Sequence, residues 1–511
     1  MHRIIILGLL FLETTTAYVT VTKYTIGNKT YYEKFEQPWF RHMHYDHDPV
    51  EASEKEESAF GKHYVPEDDV FIAPDWTAHE AKYMGCLNRT CVCGYFKGNV
   101  KDEECYLPSG KILKRAVRRE LRSLKDEDRI MIENAWNAMK KSGLYNKIGR
   151  VHKYSGVHSG PAFTLWHREF LKRITVGPME ILWINIVDWR VLLGYCTESS
   201  YNYYNRMATF RLELALRDHM KNPDFGLPFW DSTLDSLLPE PKDSIIFSEL
   251  FLGEVDDKGF VKNGPYHNWE TMEGRAQIFR NFGEDDSGEM LNDARVDWLI
   301  NNPDINMILG ATMPLTTCPM NHTLDARMLE FSHDYVHFFV NGDMSKSYSS
   351  SNDVCFVYHH GMIDWIFETW RQNMQTREER ETQYPKSDER CFPFWHNGDN
   401  SMPLLQPHKN KDALSNGYTD FMYEYYPRST CSKDKPDCHS PYLFCYIPPN
   451  DEHPPSCVSK VRRNGVCKGF EDWPICYWGK CVDGKCDEKA KPKKELEKFK
   501  KFEKKLVPFI M

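Results

Sequence analysis

Two groups of histidines in the sequence have spacings that suit metal binding. The first is a trio of His152, His158 and His167, and the second is a trio of His333, His337 and His360. His333 and His337 lie four residues apart, which places both rings on one face of a helix, where one ion can bind both. A single histidine often has only a structural role, so the prediction of a metal site depends on the two groups together.

The ligand types of the two trios narrow the choice of metal. Imidazole binds zinc, copper, iron and nickel. Neither trio contains a carboxylate at a matching position, which argues against an iron facial triad and against a carboxylate-bridged di-iron site. Three neutral imidazoles per ion leave coordination positions open between two ions, and this suits copper, which changes between Cu(I) and Cu(II) and binds O2. The sequence therefore predicts two copper ions, with O2 as co-substrate.

Helical patterns are predicted around the first trio. One helix is predicted to begin with Ser123 and Asp126 as a capping box and to stop at Gly143. A second helix is predicted to begin at Pro161 and to carry His167, because proline is tolerated in the first turn of a helix.

Two further helices are predicted around the second trio, over residues 325–340 and 360–376. The first of them carries His333 and His337. In the second, three apolar residues share a face with His360, namely Ile363, Phe367 and Trp370. Few strands are indicated, so the central part of the chain is predicted to be mainly helical, with the two trios facing each other across a bundle core.

The charge of the chain and its N-terminal sequence indicate the broad class of protein. The chain has 511 residues, enough for two or more units, and its net charge of −9 gives no electrostatic footprint for nucleic acid. Residues 1–17 combine a basic start, a short apolar run and small residues, and they predict a secretory signal peptide rather than a buried strand or a membrane span. Three N-x-S/T sequons, at Asn28, Asn88 and Asn321, agree with a secreted, extracellular location.

The sixteen cysteines predict disulfides, because thiols in an oxidising compartment form bridges more readily than zinc knuckles. Four cysteines lie in a cluster over residues 86–105, and eight lie between Cys431 and Cys486. The connectivity within these clusters is not predicted. Cys318 and Cys391 are isolated and can pair with each other. The two that remain are Cys196 and Cys355.

Composition divides the chain into regions. Residues 18–110 are predicted to be an N-terminal extension that contains the first cysteine cluster, and residues 111–428 to be the dicopper domain. Residues 429–486 have little apolar material and are predicted to be a small module held by bridges. Residues 487–511 are a charged tail, which we expect to be solvated rather than to form a helix on a membrane surface.

Three stretches of the sequence resemble the signatures of a known family. "VHSGPAFTLWHREFL", "LPFWDSTLD" and "VYHHGMIDWIFETW" are similar to stretches of the tyrosinases, which are type-3 dicopper proteins. The similarity covers about residues 110–428, and the flanking cysteine regions resemble those of secreted, nematode-type tyrosinases. The resemblance implies a mainly α fold, a four-helix-bundle dicopper domain with loop-rich surroundings, plus a small disulfide-rich C-terminal module.

The resemblance also implies an activity and a set of ligands. It implies oxidation of o-diphenols, and in some members of monophenols, to o-quinones with O2, on small phenols or on protein tyrosines. The first trio matches the ligands of the first copper and the second trio those of the second copper. His359 should be a neighbour of the site, because the family uses the second histidine of the pair. Residues with an expected scaffold role are Trp230, Asp231 and Asp364. The cysteine module suggests contacts with extracellular matrix.

The sequence departs from the family pattern at several positions. Leu-Pro before the Trp-His is Thr164-Leu165 here, and Asp-Pro before the last histidine helix is Asp353-Val354. Gly156 stands where some members have the cysteine of a Cys–His thioether. Asp334 follows His333, where efficient monophenol hydroxylases often have Asn, so we expect catechol oxidation to be the stronger activity.

Residues 174–209 interrupt the family pattern just after the helix that carries His167. Two explanations compete: a lid-like insertion near the site, or translated intron from a wrong gene model. The second is favoured, because the flanks rejoin into the family pattern and Cys196 within the insert has only Cys355 as a remaining partner.

Two other functions are considered. A zinc metalloprotease is suggested by "HDYVH", but Asp334 is one methylene shorter than the glutamate that such enzymes use, and the first trio is left unexplained. The second alternative is a catalytically impaired tyrosinase-like protein that binds metal or serves in the extracellular matrix. Copper content and oxidation of a catechol distinguish it from the oxidase.

Overall fold

The computed structural model describes residues 18–26, 29–37, 85–174, 225–283, 288–319, 324–405, 407–450 and 453–487. The predicted signal peptide, almost all of the predicted insertion and the charged tail beyond residue 487 lie outside this part of the chain. The sequons at Asn28 and Asn321 also lie outside it, whereas Asn88 is described and exposed.

Helices dominate the described residues, as predicted. In chain order they are α1 (Arg89–Tyr95), α2 (Asp126–Lys141), α3 (Leu144–Ser155), α4 (Phe163–Ile174), α5 (Asp293–Ile300), α6 (Asn306–Leu309), α7 (Leu329–Val340), α8 (Val354–Met374) and α9 (Arg377–Thr382). Short 3-10 turns and one turn of π-helix (Tyr418–Met422) connect them.

The described strands form only two-stranded sheets, and apart from β1 and β2, with nine residues each, they have three or four residues. In chain order they are β1 (Tyr18–Ile26), β2 (Lys29–Gln37), β3 (Asn99–Lys101), β4 (Glu104–Tyr106), β5 (Ala116–Arg118), β6 (Tyr423–Tyr425), β7 (Leu443–Tyr446), β8 (Ser456–Ser459), β9 (Lys480–Val482) and β10 (Lys485–Asp487). Consecutive strands pair antiparallel, except that β5 pairs with β6 in parallel. That parallel pair joins the two ends of the central domain.

The predicted capping box is wrong. Helix α2 begins at Asp126, and the residue before it, Lys125, makes no side-chain cap. Ser123 instead ends a separate 3-10 turn, whose N-cap is Glu120. The stop at Gly143 is confirmed, because this residue has φ = 75°, a left-handed conformation that glycine adopts without strain.

The other predicted helices are confirmed with shifted ends. Helix α4 begins two residues after Pro161, and α7 begins four residues later than predicted. Helix α8 begins six residues earlier than predicted, because the side chain of Asp353 accepts a hydrogen bond from the main-chain N–H of Cys355 and caps it. The sequence analysis did not predict α3, which carries His152.

The core of the central domain lies where α8 packs against α4 and α5, with α2 packed on α3. Five tryptophans are almost completely buried in it: Trp136, Trp166, Trp230, Trp269 and Trp370. Large buried side chains of this kind supply most of the hydrophobic stabilisation of a domain. The helices that meet in this core are therefore held in fixed positions relative to one another.

The disulfides follow the clustering of the cysteines. Cys318 pairs with Cys391, as predicted. The first cluster forms two internal bridges, and the eight C-terminal cysteines form four, namely Cys431–Cys445, Cys438–Cys457, Cys467–Cys481 and Cys476–Cys486. Cys355 is buried and belongs to none of the bridges between described cysteines, and its remaining candidate partner, Cys196, lies outside the described residues.

The C-terminal cysteine-rich region is docked tightly on the central domain. The main-chain N–H of Ile245 donates to the carbonyl of Lys460 at 2.7 Å, and Asp243 accepts from the side chain of Arg462 at 2.6 Å and from the N–H of Val466 at 2.9 Å. This region is therefore part of one packed body with the domain. Within the described part of the chain, no helix is both long and apolar enough to cross a membrane.

Candidate metal centre

The structure brings all six predicted ligands together in one buried cluster. His152 lies in the last turn of α3, His167 on α4, His333 and His337 on α7, and His360 on α8. His158 lies in the loop over residues 156–162, between α3 and α4. None of the six is more than 8% exposed, and His158 is the one that reaches this value. Four helices thus surround the site, and a single loop completes it.

The first trio has a geometry in which one ion can contact all three rings. One nitrogen from each of His152, His158 and His167 lies within 4.8 Å of the others. The ring centroids are 5.3 Å apart for His152 and His158, 5.3 Å for His152 and His167, and 4.9 Å for His158 and His167. A zinc or copper ion that binds at about 2 Å from each nitrogen fits such a spacing.

The second trio is closer still. The Nε2 atom of His360 lies 3.1 Å from Nε2 of His333 and 3.3 Å from Nε2 of His337. The spacing of four residues between His333 and His337 on α7 brings their ring centroids to 4.3 Å. Three Nε2 atoms therefore converge on one point.

His359 is close to the same point but has a different contact. It can be grouped with His333 and His337, since one nitrogen of each lies within 4.8 Å of the others. Its Nε2, however, donates to the main-chain carbonyl of His333 at 3.1 Å. We assign the ligand position to His360 on the convergence of the Nε2 atoms, and we give His359 the role of a neighbour.

The two trios face each other across the bundle. His167 stacks on His360 with ring centroids 4.4 Å apart, and His158 lies 6.4 Å from His333 in the same measure. His152 is also 6.4 Å from His360. Two ions held by these trios would therefore be neighbours.

Burial keeps the imidazoles neutral, which is the form that binds a metal. Removal from water lowers the pKa of His158 to about 3 and that of His337 to about 4. Burial is also the main reason why the pKa values of the other four candidate ligands lie well below the usual range. These four are His152, His167, His333 and His360. Neighbouring histidines in the cluster add to this effect.

Hydrogen bonds set which nitrogen of two ligands carries the proton. Nδ1 of His167 donates to the carbonyl of Phe163 at 2.8 Å, and Nδ1 of His337 donates to the carbonyl of Met344 at 2.6 Å. The Nε2 atom of each ring is then an acceptor aimed into the cluster. In the described part of the chain, Nε2 of His167 has no hydrogen-bond partner. Buried acceptors of this kind fit a bound cation.

Two phenylalanines line the cluster, and the sequence analysis missed both. The ring of Phe163 lies 4.8 Å from that of His167 and 4.7 Å from that of His333. The ring of Phe356 lies 4.1 Å from that of His360. Each precedes a ligand by four residues on the same helix, and this spacing is a signal that sequence reasoning can use.

Two carboxyl groups, Glu330 and Asp334, lie on α7 beside the second trio. Asp334 is 2.9 Å from Nδ1 of His333 through Oδ1, and Glu330 accepts from the hydroxyl of Thr312 at 2.9 Å and from the N–H of Ser159. Burial raises the pKa of Glu330 to about 8 and raises that of Asp334 well above its usual range. Glu330 was not predicted, although it precedes His333 by about one helical turn.

Asp364 joins the helices that carry the ligands. It accepts hydrogen bonds from Arg118 at 3.1 Å, from Arg168 at 2.7 Å, from Tyr423 at 2.8 Å and from Tyr425 at 2.6 Å. Arg168 follows His167 directly, so this carboxylate links α4 to α8 beside the site. The contact pattern is that of a scaffold residue and involves none of the candidate ligands.

Trp230 and Asp231 also lie in the framework around the cluster. Trp230 donates from its main chain to the carbonyl of Tyr358 at 2.9 Å and from Nε1 to Asp235 at 2.8 Å. Asp231 accepts from Nε of Arg428 at 2.6 Å. These bonds attach the segment after residue 225 to α8 and to the chain that follows β6.

The chain is similar to known proteins of the tyrosinase family. The family model of the common central domain of tyrosinase matches residues 196–373, a stretch that begins after the first trio. A tyrosinase-like protein of Caenorhabditis elegans is 33% identical over 420 residues, which are 81% of this chain and 53% of that protein. Tyrosinase-like protein 1 of Margaritifera margaritifera is 26% identical over 338 residues, which are 64% of this chain and 57% of that protein. The chain thus spans about half of the length of these relatives.

Solved structures of the same kind also match. A polyphenol oxidase of Thermothelomyces thermophila, as a G292N mutant, has a TM-score of 0.40 and 17% sequence identity. The match covers 61% of this chain and 89% of that one. A tyrosinase of Burkholderia thailandensis matches with a TM-score of 0.37 and 16% identity, over 61% of this chain and 74% of that one.

Proposed function

The chain belongs to the tyrosinase family, and from this premise we propose that it is a secreted dicopper oxidase that converts o-diphenols to o-quinones with O2. The observation that carries the proposal is the pair of facing histidine trios, buried and held neutral. Bound there, a copper pair would supply the binding and reduction of O2 and the oxidation of the phenol. His152, His158 and His167 would hold the first ion, and His333, His337 and His360 the second.

The chain itself contributes fixed ligand geometry. The carbonyls of Phe163 and Met344 hold the protons on Nδ1 of His167 and His337, so that Nε2 of each ring is available without a prior loss of a proton. The carboxylate of Asp364 and the guanidinium of Arg168 hold α4 against α8. An enzyme gains rate from such groups because they need no reorganisation during the reaction.

The chain also keeps water away from the reacting atoms. The rings of Phe163 and Phe356 are almost completely buried and contact ligands from both trios. His158 is the most exposed of the six candidate ligands. We infer that a phenol approaches on the side of the His158 loop, with its ring close to Phe163.

Asp334 bears on the choice between diphenol and monophenol. A monophenol must lose its hydroxyl proton at the site, and a positioned base promotes that step. Here the carboxyl of Asp334 bonds Nδ1 of His333, and burial raises its pKa. It is therefore not available to hold a water molecule that would act as the base. We therefore expect faster turnover of a catechol than of the matching monophenol, and a smaller difference in the Asp334→Asn variant. Oxygen consumption with the two substrates measures it.

A second candidate function is a metal-binding protein with impaired catalysis, and the same Asp334 contact favours it. A carboxyl that bonds a ligand ring changes the electron donation of that ring to the metal. Contacts with extracellular matrix through the cysteine-rich region belong to this candidate. The zinc protease is less suited to the site, because Asp334 contacts Nδ1 of His333, on the opposite side of the ring from the converging Nε2 atoms.

Export is part of the proposal. The disulfides between described cysteines require an oxidising compartment for their formation. Asn88 is exposed, and its Oδ1 caps α1 by accepting from the N–H of Cys91 at 2.9 Å, which leaves Nδ2 accessible to a glycan. We expect the protein to be secreted into the medium of expressing cells and to lose mass on treatment with a glycosidase. Western blotting of medium and cells tests this location.

The decisive experiment measures metal and turnover on the same sample. We expect two copper ions per chain and oxygen consumption with a catechol. The His167→Ala and His337→Ala variants should each lose an ion and the activity, whereas His439→Ala, at an exposed histidine, should lose neither. Two copper ions without turnover, zinc, or no metal in the wild-type chain would overturn the oxidase and favour the second candidate.

A further inference from the structure

His158 differs from the other five candidate ligands because no helix holds it. It lies in the loop over residues 156–162, and the next residue, Ser159, has φ = 70°, which is uncommon for a side chain other than glycine. A loop ligand must be fixed by contacts from elsewhere, since an error of about 1 Å in position can be costly in catalysis. The question is which groups fix this loop.

One contact comes from helix α7. The carboxyl of Glu330 accepts from the main-chain N–H of Ser159 and from the hydroxyl of Thr312, the latter at 2.9 Å. This side chain lies on the same helix as His333 and His337. It therefore ties the loop of the first trio to the helix of the second.

The other contact comes from His396, more than two hundred residues away in the sequence. Its Nδ1 accepts from the main-chain N–H of Ala162 at 3.3 Å, and its ring donates to the main chain of His158. One neutral imidazole thus spans the loop from the ligand to the start of α4. The ring is 1% exposed and lies outside both trios.

The fit between His396 and the loop is close. A Cβ atom added to Gly160 would lie 2.8 Å from both Cε1 and Nδ1 of His396, nearer than side chains pack. Gly160 therefore leaves room for the ring to lie against the backbone.

His396 is itself held from behind. The hydroxyl of Tyr384 donates to the carbonyl of His396 at 2.5 Å. Five residues before His396, Cys391 is bridged to Cys318, and the N–H of Leu315 donates to the carbonyl of Cys391 at 2.9 Å. The same disulfide thus supports His396 on one side and the segment of Thr312 on the other.

We propose that His396 is a positioning residue for the first copper, which fixes His158 by hydrogen bonds to the main chain of His158 and to Ala162 at the end of the loop. It is not a ligand, because its two ring nitrogens are used on the main chain of Ala162 and His158. The inference deepens the proposed function and rests on it for the identity of the metal. The geometric claim, that His396 controls metal occupancy at the first trio alone, holds for any ion that binds there.

The test uses three substitutions at one position in the full-length chain. His396→Phe keeps the ring volume and removes both hydrogen bonds. His396→Asn can keep an acceptor near the N–H of Ala162, and His396→Gln can keep a donor near the main chain of His158. We expect His396→Phe to bind one copper ion in place of two, and the amide variants to recover part of the second ion.

The experiment must also show which of the two ions is lost, because a general loss of stability would remove copper from both trios. A lone Cu(II) at the second trio is paramagnetic and visible by EPR, so His396→Phe should show this signal in proportion to the missing ion. The His360→Ala variant supplies the reference spectrum for the opposite case. The matched control is His267→Phe, at a half-buried histidine whose Nδ1 bonds only within its own turn, to Gly264, and it should keep both ions.

Gly160→Ala disturbs the same contact from the loop, because the added methyl group would collide with the ring of His396. It should displace His396 and lower copper at the first trio, and it keeps the test valid if His396→Phe fails to fold. Two ions in His396→Phe or in Gly160→Ala would overturn the role of His396. Two ions without catechol oxidation in the wild-type chain would overturn only the proposed function, and a wild-type chain whose first trio binds neither copper nor zinc would overturn both.

Discussion

The ring of His167 stacks on the ring of His360, with centroids 4.4 Å apart and planes at 15°. These two residues come from different trios and different helices. Arg168, the residue after His167, forms an ion pair of 2.7 Å with Asp364, which lies four residues after His360. The ring contact between the two trios and the ion pair that joins α4 to α8 are thus adjacent. We therefore expect a substitution in the ion pair to affect the ring contact, and the reverse.

Loss of the Asp364 carboxylate should destabilise the domain and the site together. Asp364→Asn leaves the guanidiniums of Arg118 and Arg168 buried with less charge compensation, and breaking a buried pair costs about 3 to 5 kcal/mol. We expect a decrease of this size in the free energy of unfolding in urea, together with lower copper content. Asp388→Asn, which breaks a pair with the exposed Arg390, is the control and should lower the free energy of unfolding by no more than about 1 kcal/mol, with unchanged copper content.

The adjacent histidines of α8 should respond differently to substitution. His360→Ala removes the Nε2 that converges with those of His333 and His337, so we expect the second copper to be lost. His359→Ala removes a bond to the carbonyl of His333 and should keep most of that copper. Metal analysis of both variants decides, and loss from His359→Ala with retention in His360→Ala would reverse the assignment.

Gly156 should be required for the position of His152. An added Cβ would lie 2.8 Å from Cδ2 and 2.9 Å from Nε2 of His152, so the ring must move in Gly156→Ala. We expect reduced copper at the first trio and little change in fold. At Gly85 an added Cβ meets only Pro407, at 3.7 Å, and Gly85→Ala should bind two ions. Equal copper content in the two variants would show that the ring of His152 adapts.

Glu368 should contribute a pH dependence below neutral pH. Burial raises the pKa of its carboxyl, but Arg168 and Arg371 outweigh burial and lower it from 4.5 to about 2. The unfolded chain therefore binds this proton more tightly, and the stabilisation is complete above pH 4.5 and is lost as the pH falls toward 2.

With copper removed from both proteins, the free energy of unfolding of the wild type should fall by about 1 kcal/mol more than that of Glu368→Gln between pH 6 and pH 4. The Gln variant should be the less stable of the two at pH 6, because two buried guanidiniums lose a charged partner. Parallel curves for the two proteins would show that the carboxyl has an ordinary pKa.

Local patterns predicted the parts of the site that depend on local spacing. The four-residue interval between His333 and His337 predicted one helical face, and the pair His359-His360 was resolved by resemblance. His152 lies on α3, which the sequence analysis missed although Leu144, Ile148 and Val151 recur at the spacing of one helical face. The capping box failed because Glu120 makes a separate turn just before the helix.

The contacts made over long sequence separations were not predictable from one sequence. His396 meets the loop of His158 at a separation of 234 residues, and Asp364 meets Arg168 at a separation of 196 residues. Neither position belongs to a repeating pattern that indicates its partner. Both contacts arise from the order in which the helices pack, which only the three-dimensional structure gives.

The bridge between Cys318 and Cys391 gives the two half-sites different unfolded states. It closes a ring with a sequence separation of 73 residues, and His333, His337 and His360 all lie inside that ring, whereas His152, His158 and His167 lie outside it. A ring of this size lowers the conformational entropy of the unfolded chain by the equivalent of about 4 kcal/mol. The three histidines of the second half-site thus remain near one another even when the domain is unfolded with its bridges intact. None of the bridges between described cysteines encloses the histidines of the first trio, so these bridges do not hold them together in the unfolded chain.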